Sequence, residues 1–383
     1  MGFLSGAVTF LRFRVAGPAP RLFDQEHLDR LADLAAGRQR IAAADGVEVG
    51  WTAGGHVLDT DFTLDKNVVS DSLHFKLCVE SDKLPADKLE AYYQIELAAL
   101  AKNNPSGFAS ARQKREAKEI ARERLEEEAK DGRYRKRKCV PVMWDAKTNE
   151  VLFGAASLTQ AERMCSLFEQ TFGAKLECVT AGRRASWMSG PEDADAAAPS
   201  AFLPGGHHDV AWIADESSRD FLGNEFILWL WYYLDVNSDT LALADGSEAT
   251  VMIARSLTLE CPRGQTGADA FAHEGPARLP EARRAIQSGK LPRKCGLTVV
   301  RHDQQYEFTL HAETLAVGAC KLPPPPEDVT DARAKMDSRV DAVRGLVETL
   351  DGLFGRFLAR RLCAEWTADL TAMQQWLSSN RSS

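Results

Sequence analysis

Paired cysteines are missing from this sequence. Its eight cysteines, Cys78, Cys139, Cys165, Cys178, Cys261, Cys295, Cys320 and Cys363, are scattered, with no CxxC spacing. Zinc knuckles and disulfide frameworks both need clustered thiols, so neither is expected; the thiols read as reduced, half-buried side chains of a cytoplasmic protein. A long apolar run is missing too. The longest, Phe226–Leu234 (FILWLWYYL), is about half of the ~18–20 residues that span a bilayer, and reads as a buried strand or helix. No membrane partner is expected. The N-terminus has no basic region ahead of its apolar residues, and Arg12 and Arg14 interrupt it, which argues against a signal peptide. Gly6 stands where a myristoylation signal needs Ser or Thr.

Catalytic signatures are absent as well. There is no GxSxG, no HExxH and no GxGxxG opening a helix. Gly289-Lys290 is followed by Leu291, and Arg284 stands where a phosphate-binding loop needs its first glycine. Gly205-Gly206-His207-His208-Asp209 is the best metal-like cluster. Adjacent histidines on a strand point to opposite faces, however, so it reads as a polar loop. A metal-dependent nuclease would need converging carboxylates, and Asp235–Asp239 (DVNSD) belongs to a stretch that reads as solvated acidic loop. No catalytic residue, metal or cofactor is therefore assigned.

What is present is uneven charge. The net charge of −8 argues at first against a nucleic-acid partner. Between Ala185 and Thr250, however, twelve Asp/Glu face one Lys/Arg, Arg219, and taking that −11 from −8 leaves +3 on the rest of the chain. Within the remainder, Arg112–Lys138 holds twelve Lys/Arg against seven Asp/Glu, a balance of +5. Screening confines each patch to roughly 8–10 Å, so an acidic protein can still present a basic surface. The pairs Arg112/Glu116, Arg115/Glu119, Arg122/Glu126 and Arg124/Glu128 sit at helical i,i+4 spacing, which suits a solvated helix held by its own ion pairs. They leave Arg133–Lys138 (RYRKRK) unexplained. Five of its six residues are cationic around Tyr134, and such a run repels itself unless phosphates or counterions neutralise it. A second basic group comprises Arg278, Arg283, Arg284, Lys290, Arg293 and Lys294. The aromatic run Phe221, Phe226, Trp229, Trp231, Tyr232 and Tyr233 could stack on bases, but such runs more often form core.

At 383 residues, two or three domains are expected. The fold class is α+β: two sheet-containing lobes, a helical hairpin arm and C-terminal helices. Residues 1–184 form a first lobe, with a strand in the alternation from Val8 to Val15, a helix at Asp24–Ala36, and strands at Val47–Trp51 and Leu73–Val79. The arm, residues 85–138, pairs helices Ala86–Lys102 and Ser110–Lys130 across Asn103–Gly107. Strands at Cys139–Trp144 and Val151–Ala155 and a helix at Thr159–Phe172 follow, the helix stopped by Gly173. Ala185–Gly206 reads as an acidic inter-domain loop. The second lobe, residues 185–322, carries the strand Ala249–Leu259, the helix Pro280–Ser288, and a hairpin of Cys295–Val300 with Tyr306–His311. Pro323–Pro326 opens the segment 323–383, whose Val329–Leu377 forms one or two helices that would help the chain dimerise.

Lys83-Leu84-Pro85, the arm Leu89–Lys130, Pro141-Val142-Met143-Trp144-Asp145, Asn149–Gly154 and Ala161–Phe172 together resemble the recombination-associated protein RdgC family. Val49-Gly50-Trp51 fits as well, as do Glu281-Ala282, Ile286, Gly289-Lys290, Lys294 and Leu297, then Phe308-Thr309-Leu310. The similarity is densest from Leu84 to Phe172. The resemblance implies a non-sequence-specific, nucleoid-associated DNA-binding protein, with double-stranded DNA passing through a ring-shaped homodimer and a recombinase as the regulated partner. Candidate phosphate contacts are Lys114, Arg115, Lys118, Arg133, Arg135, Lys136, Arg137 and Lys138 from the arm, and Arg283, Arg284, Lys290, Arg293 and Lys294 from the second lobe. Two rivals stand beside it: a metal-dependent nuclease using the acidic residues between Asp209 and Asp245, and a protein-interaction module built on Trp229–Tyr233 and the C-terminal helices.

Overall fold

A computed structural model of the protein describes residues 2–38, 41–42, 47–82, 84–102, 104, 107–195, 197–202, 218–261 and 267–378. In chain order the elements are β1 (Val8–Val15), α1 (Gln25–Asp33), β2 (Ile41–Ala42), β3 (Glu48–Thr52), α2 (Leu64–Asn67), β4 (Val68–Val69), β5 (Ser72–Asp82), α3 (Ala86–Lys102) and α4 (Ala111–Ala129). Then come β6 (Arg135–Asp145), β7 (Glu150–Phe153), α5 (Leu158–Phe172), β8 (Leu176–Cys178), α6 (Ala181–Ser189), α7 (Pro191–Asp195) and α8 (Phe221–Val236). The chain continues with β9 (Thr240–Ala242), β10 (Glu248–Glu260), β11 (Asp269–His273), α9 (Pro280–Gln287), β12 (Leu291–Arg301), β13 (Gln304–His311), β14 (Val317–Lys321), α10 (Ala332–Arg361) and α11 (Trp366–Ser378). This is the expected α+β class, with antiparallel pairing between its strands. Among the described residues, no helix is long and apolar enough to cross a membrane.

The chain divides into two compact units. One comprises residues 1–30, 62–75 and 140–383; the other comprises 31–61 and 76–139. That differs from a division at residues 184 and 322, and β1 explains why. Its register pairs Phe10 with Val317 of β14 on one side and Phe13 with Val151 of β7 on the other. Strands assigned from sequence to two separate lobes are thereby joined in one sheet of the larger unit, in the order β11-β10-β12-β13-β14-β1-β7-β6. Six of the eight residues of β1 are buried, so both of its faces are covered; a single buried face would not account for that pattern.

Helix α8 is apolar all round, and every residue from Phe221 to Trp231 is buried. Its close approach is made possible by Gly223, where a Cβ would lie 1.8 Å from the carbonyl oxygen of Ala312. Phe226 meets Phe354 edge-on at 5.4 Å, and Trp231 meets Trp376 at 5.8 Å. Phe221, Phe226, Trp229 and Trp231 are thus core, while Tyr232 and Tyr233 are half-buried against it. The same cluster takes in the apolar stripe of α10 and α11.

Three buried ion-pair groups tie the helix α10 to its surroundings, two to the sheet and one to α8. Arg12, 1% exposed, reaches Glu150 at 3.0 Å and Asp351 at 2.8 Å, and Arg184 shares Asp351. Arg344 holds Asp145 through two 2.9 Å contacts, and Arg361 holds Glu225 at 2.5 Å. The acidic stretch after Ala185 is also not the loop expected. It continues helical through α7, and Ala185, Ala194, Ala197 and Phe202 join the core. The residue types are small because the helices pack closely there, while the carboxylates of Glu192 and Asp193 face outward. The Gly205–Asp209 cluster lies outside the described residues.

The smaller unit consists of the short sheet β2-β3-β5-β6 and the hairpin α3–α4. Gly50 of β3 is obligatory there, since a Cβ would come within 2.5 Å of the Ala36 backbone.

Candidate nucleic-acid interface

The cationic run lies on a strand. Arg135 to Lys138 form the first residues of β6, where side chains alternate between faces. The arm's helices end at Ala129, so only Lys114, Arg115 and Lys118 of the candidates belong to them. Arg135, Arg137 and Cys139 point to one face. Arg137 pairs with Glu80 and donates to the Val57 carbonyl at 3.0 Å; Arg135 approaches Glu80 at 3.5 Å and Glu48 at 3.6 Å. Glu80 is only 6% exposed. The two arginines therefore neutralise a buried carboxylate, and their charge is already spent. Lys136 and Lys138 point the other way, are exposed, and make no ion pair among the described residues.

Helix α4 starts at a reciprocal cap. Gln113 N–H donates to the Ser110 hydroxyl at 3.3 Å, and Ser110 N–H donates to the Gln113 side chain at 2.9 Å. Ala117, Ala121 and Leu125, at i, i+4 and i+8, are its only buried residues; small side chains there let α3 pack closely. Ile120, the other large apolar residue of α4, is exposed. One of the four expected i,i+4 pairs forms, Arg122 to Glu126 at 2.7 Å. Arg124 instead lies 4.3 Å over the Tyr92 ring and 3.6 Å from Glu96 of α3. Lys114, Arg115 and Lys118 are exposed and make no ion pair among the described residues.

Glu128 fastens the end of the hairpin. It accepts hydrogen bonds from the Tyr92 and Tyr134 hydroxyls, the latter at 2.7 Å, with the Lys88 ammonium at 3.3 Å. Those hydrogen bonds hold its carboxyl down to about 2. Tyr134, the one uncharged residue of the cationic run, is engaged there, with Lys88 lying 5.3 Å from its ring. Arg133 is folded back onto Asp131 at 2.6 Å.

The second basic group is more fully neutralised. Arg283 pairs with Asp235 at 2.5 Å beside Trp376, Lys290 pairs with Asp269 at 2.6 Å, and Arg293 bridges Glu260 and Glu313, both at 2.8 Å. Lys290 is 8% exposed. Arg284 and Lys294 are exposed without an ion pair among the described residues. These cations sit beside acids distant in sequence, and no local pattern reveals that.

Asp209, Asp215 and Glu216 lie outside the described residues; of the other carboxylates offered for a nuclease, several are held in structural contacts. Asp235 accepts from the Trp376 indole at 2.7 Å as well as from Arg283, and Asp245 pairs with Arg301 and accepts from Ser247 N–H at 3.0 Å. Asp220 accepts from Gly182 N–H at 3.0 Å, and burial raises its pKa. Among the described residues, no group of three or more His, Cys, Asp or Glu is placed to hold a metal ion. Sequence reasoning missed Glu48 and Glu80 as partners of the cationic strand, and it missed the approach of Cys78 to Cys139. The alternation in Arg135–Cys139 was the available signal for which residues share a face.

No protein-family model and no curated protein matches this sequence.

Proposed function

We propose that this protein binds double-stranded DNA without sequence preference, through phosphate contacts made by Lys136 and Lys138 of β6 and by Lys114, Arg115 and Lys118 of α4. The observation that carries the reading is the split of β6 into two faces. Arg135 and Arg137 are held by Glu48 and Glu80, while Lys136 and Lys138 are exposed and make no ion pair among the described residues. Two exposed ammonium groups on one face of a strand offer charge that a polyanion neutralises with release of its counterions. The regional charge supports this. The smaller unit carries 18 Lys/Arg against 17 Asp/Glu, a balance of +1, which leaves −9 on the larger unit. The acidity that argues against DNA therefore belongs to the larger unit. Arg278, Arg284 and Lys294 are the cations of the second group that are exposed and make no ion pair among the described residues, and so are able to add contacts. The RdgC-like resemblance adds the assembly and the setting: a homodimer encircling the duplex, associated with the nucleoid, and restraining a recombinase.

A salt-titrated mobility-shift experiment on supercoiled, linear and single-stranded DNA tests the reading. Affinity for linear duplex should fall steeply with salt and be the same for unrelated sequences. Absence of any shifted species at low salt would overturn it. Degradation of linear duplex with Mg²⁺ or Mn²⁺, abolished by Asp235→Asn and Asp239→Asn, would favour the nuclease instead.

A further inference from the structure

The smaller unit contains a chemical feature that phosphate binding does not use. Cys78 of β5 and Cys139 of β6, 61 residues apart in sequence, bring their sulfurs to 3.2 Å as free thiols. We propose that they form a redox-active dithiol, a modification site that small-molecule disulfides such as oxidised glutathione close into a reversible cross-strand disulfide.

The two sulfurs are unequal in ways that assign their roles. Cys78 is fully buried, whereas Cys139 is half-buried and open to attack. A hydrogen bond joins the two sulfurs, and together with burial it favours the neutral Cys78 thiol, raising its pKa. Cys139 is pushed the other way, to about 6, first by the Cys78 hydrogen bond, then by the Thr52 hydroxyl and the charges of Lys76 and Arg137. Thr52 on β3 is buried, and among the described residues its hydroxyl makes no regular hydrogen bond, which leaves it directed to the Cys139 thiolate. Glu80, the remaining charged group near the pair, raises Cys78. One thiol is therefore an accessible nucleophile and the other a shielded resolving group.

The chemistry balances. The Cys139 thiolate attacks one sulfur of the small disulfide, forming a mixed disulfide and expelling one small thiolate. Cys78 then gives up its proton and attacks the Cys139 sulfur, expelling the second small thiolate. The protein loses two electrons and two protons, and the small disulfide is reduced to two thiols. Closing the gap from 3.2 Å to a bond of about 2.05 Å requires side-chain rotation within paired strands. Cytosolic disulfides of this kind are transient and sensing in character, in keeping with the reduced resting state.

The test uses the full-length protein in buffers of graded reduced-to-oxidised glutathione ratio, followed by acid quench, alkylation and peptide mass mapping. Cys78 and Cys139 should leave the alkylated pool together as a linked peptide within one chain and return on reduction. Cys78→Ser should stop at glutathione on Cys139, and Cys139→Ser should leave the buried Cys78 unmodified. In the reduced wild-type protein, alkylation of Cys139 should rise with a midpoint near pH 6. At pH 7 its rate should exceed that of an ordinary thiol about 4-fold, after allowing for the weaker nucleophilicity of a low-pKa thiolate. Full alkylation of both cysteines in the oxidising buffers would overturn the proposal. So would modification of Cys78 in Cys139→Ser at the wild-type rate, or linkage only between chains. Serine is close to isosteric with cysteine, and the mapping of the wild-type protein stands without either variant.

Discussion

Replacing Lys136 and Lys138 together by alanine separates phosphate binding from folding. Both side chains are exposed on β6 and pair with no carboxylate among the described residues, so their loss leaves no buried charge behind. Each lost phosphate contact should shallow the slope of log affinity against log salt by about 0.9, so the pair should remove about 1.8. At 0.1 M salt that corresponds to a loss of roughly 60-fold, at 0.3 M of roughly 9-fold, and the two curves should converge near 1 M. Fluorescence anisotropy with a labelled duplex at several salt concentrations measures all three. Parallel curves, or equal affinity at 0.1 M, would refute the assignment of these lysines as phosphate contacts. The companion variant Arg135→Ala/Arg137→Ala is the instructive control. It strips Glu80, 6% exposed, of its partners and should cost about 1–3 kcal/mol of stability. A loss of binding in that variant would confound folding with contact, and a substitution spanning all four cations would hide the distinction.

Other expectations concern the core. Arg12→Leu removes the cation shared by Glu150 and Asp351 and should lower the urea-unfolding free energy by about 3–5 kcal/mol; a change under about 1 kcal/mol would mean that Arg184 alone satisfies both carboxylates. His74 is buried, and desolvation first, then Arg344 and Arg333, depress its pKa to about 3. The unfolded state then binds the extra proton between about pH 6.5 and 3, so this contribution is complete above 6.5 and is lost as pH falls through that window. His74→Gln should flatten the pH dependence of stability there by up to about 4–5 kcal/mol, and an unchanged acid profile would show that His74 titrates normally. Gly223→Ala should destabilise by about 1–3 kcal/mol or more because its Cβ meets the Ala312 carbonyl at 1.8 Å, whereas Gly267→Ala, with open space around it, should be near neutral in a thermal melt.

Much of the local architecture was legible in the sequence. Alternation gave β1, β3 and β5; Asp24 and Ser110 marked helix starts; Gly173, at φ 69°, ends α5 in the left-handed conformation expected of a C-terminal glycine. The hairpin β12–β13 also stands where expected, its turn made by His302 and Asp303, both at positive φ. Those features depend on side-chain periodicity and on backbone preferences of single residues, which a sequence displays directly.

Which charges remain free was decided only by tertiary structure. The sequence by itself determined that cations concentrate between Arg112 and Lys138. That Arg135–Lys138 extend the strand and alternate between its faces, and that Glu80, 57 residues from Arg137, lies beside it, emerged only from the structure. The same holds for Asp269 beside Lys290, for Glu313 beside Arg293, and for Cys78 beside Cys139. Charge composition is additive along a chain, but neutralisation falls off within a few ångströms. The exposed charge of a patch is therefore set by long-range strand and helix pairing, which brings remote residues into contact.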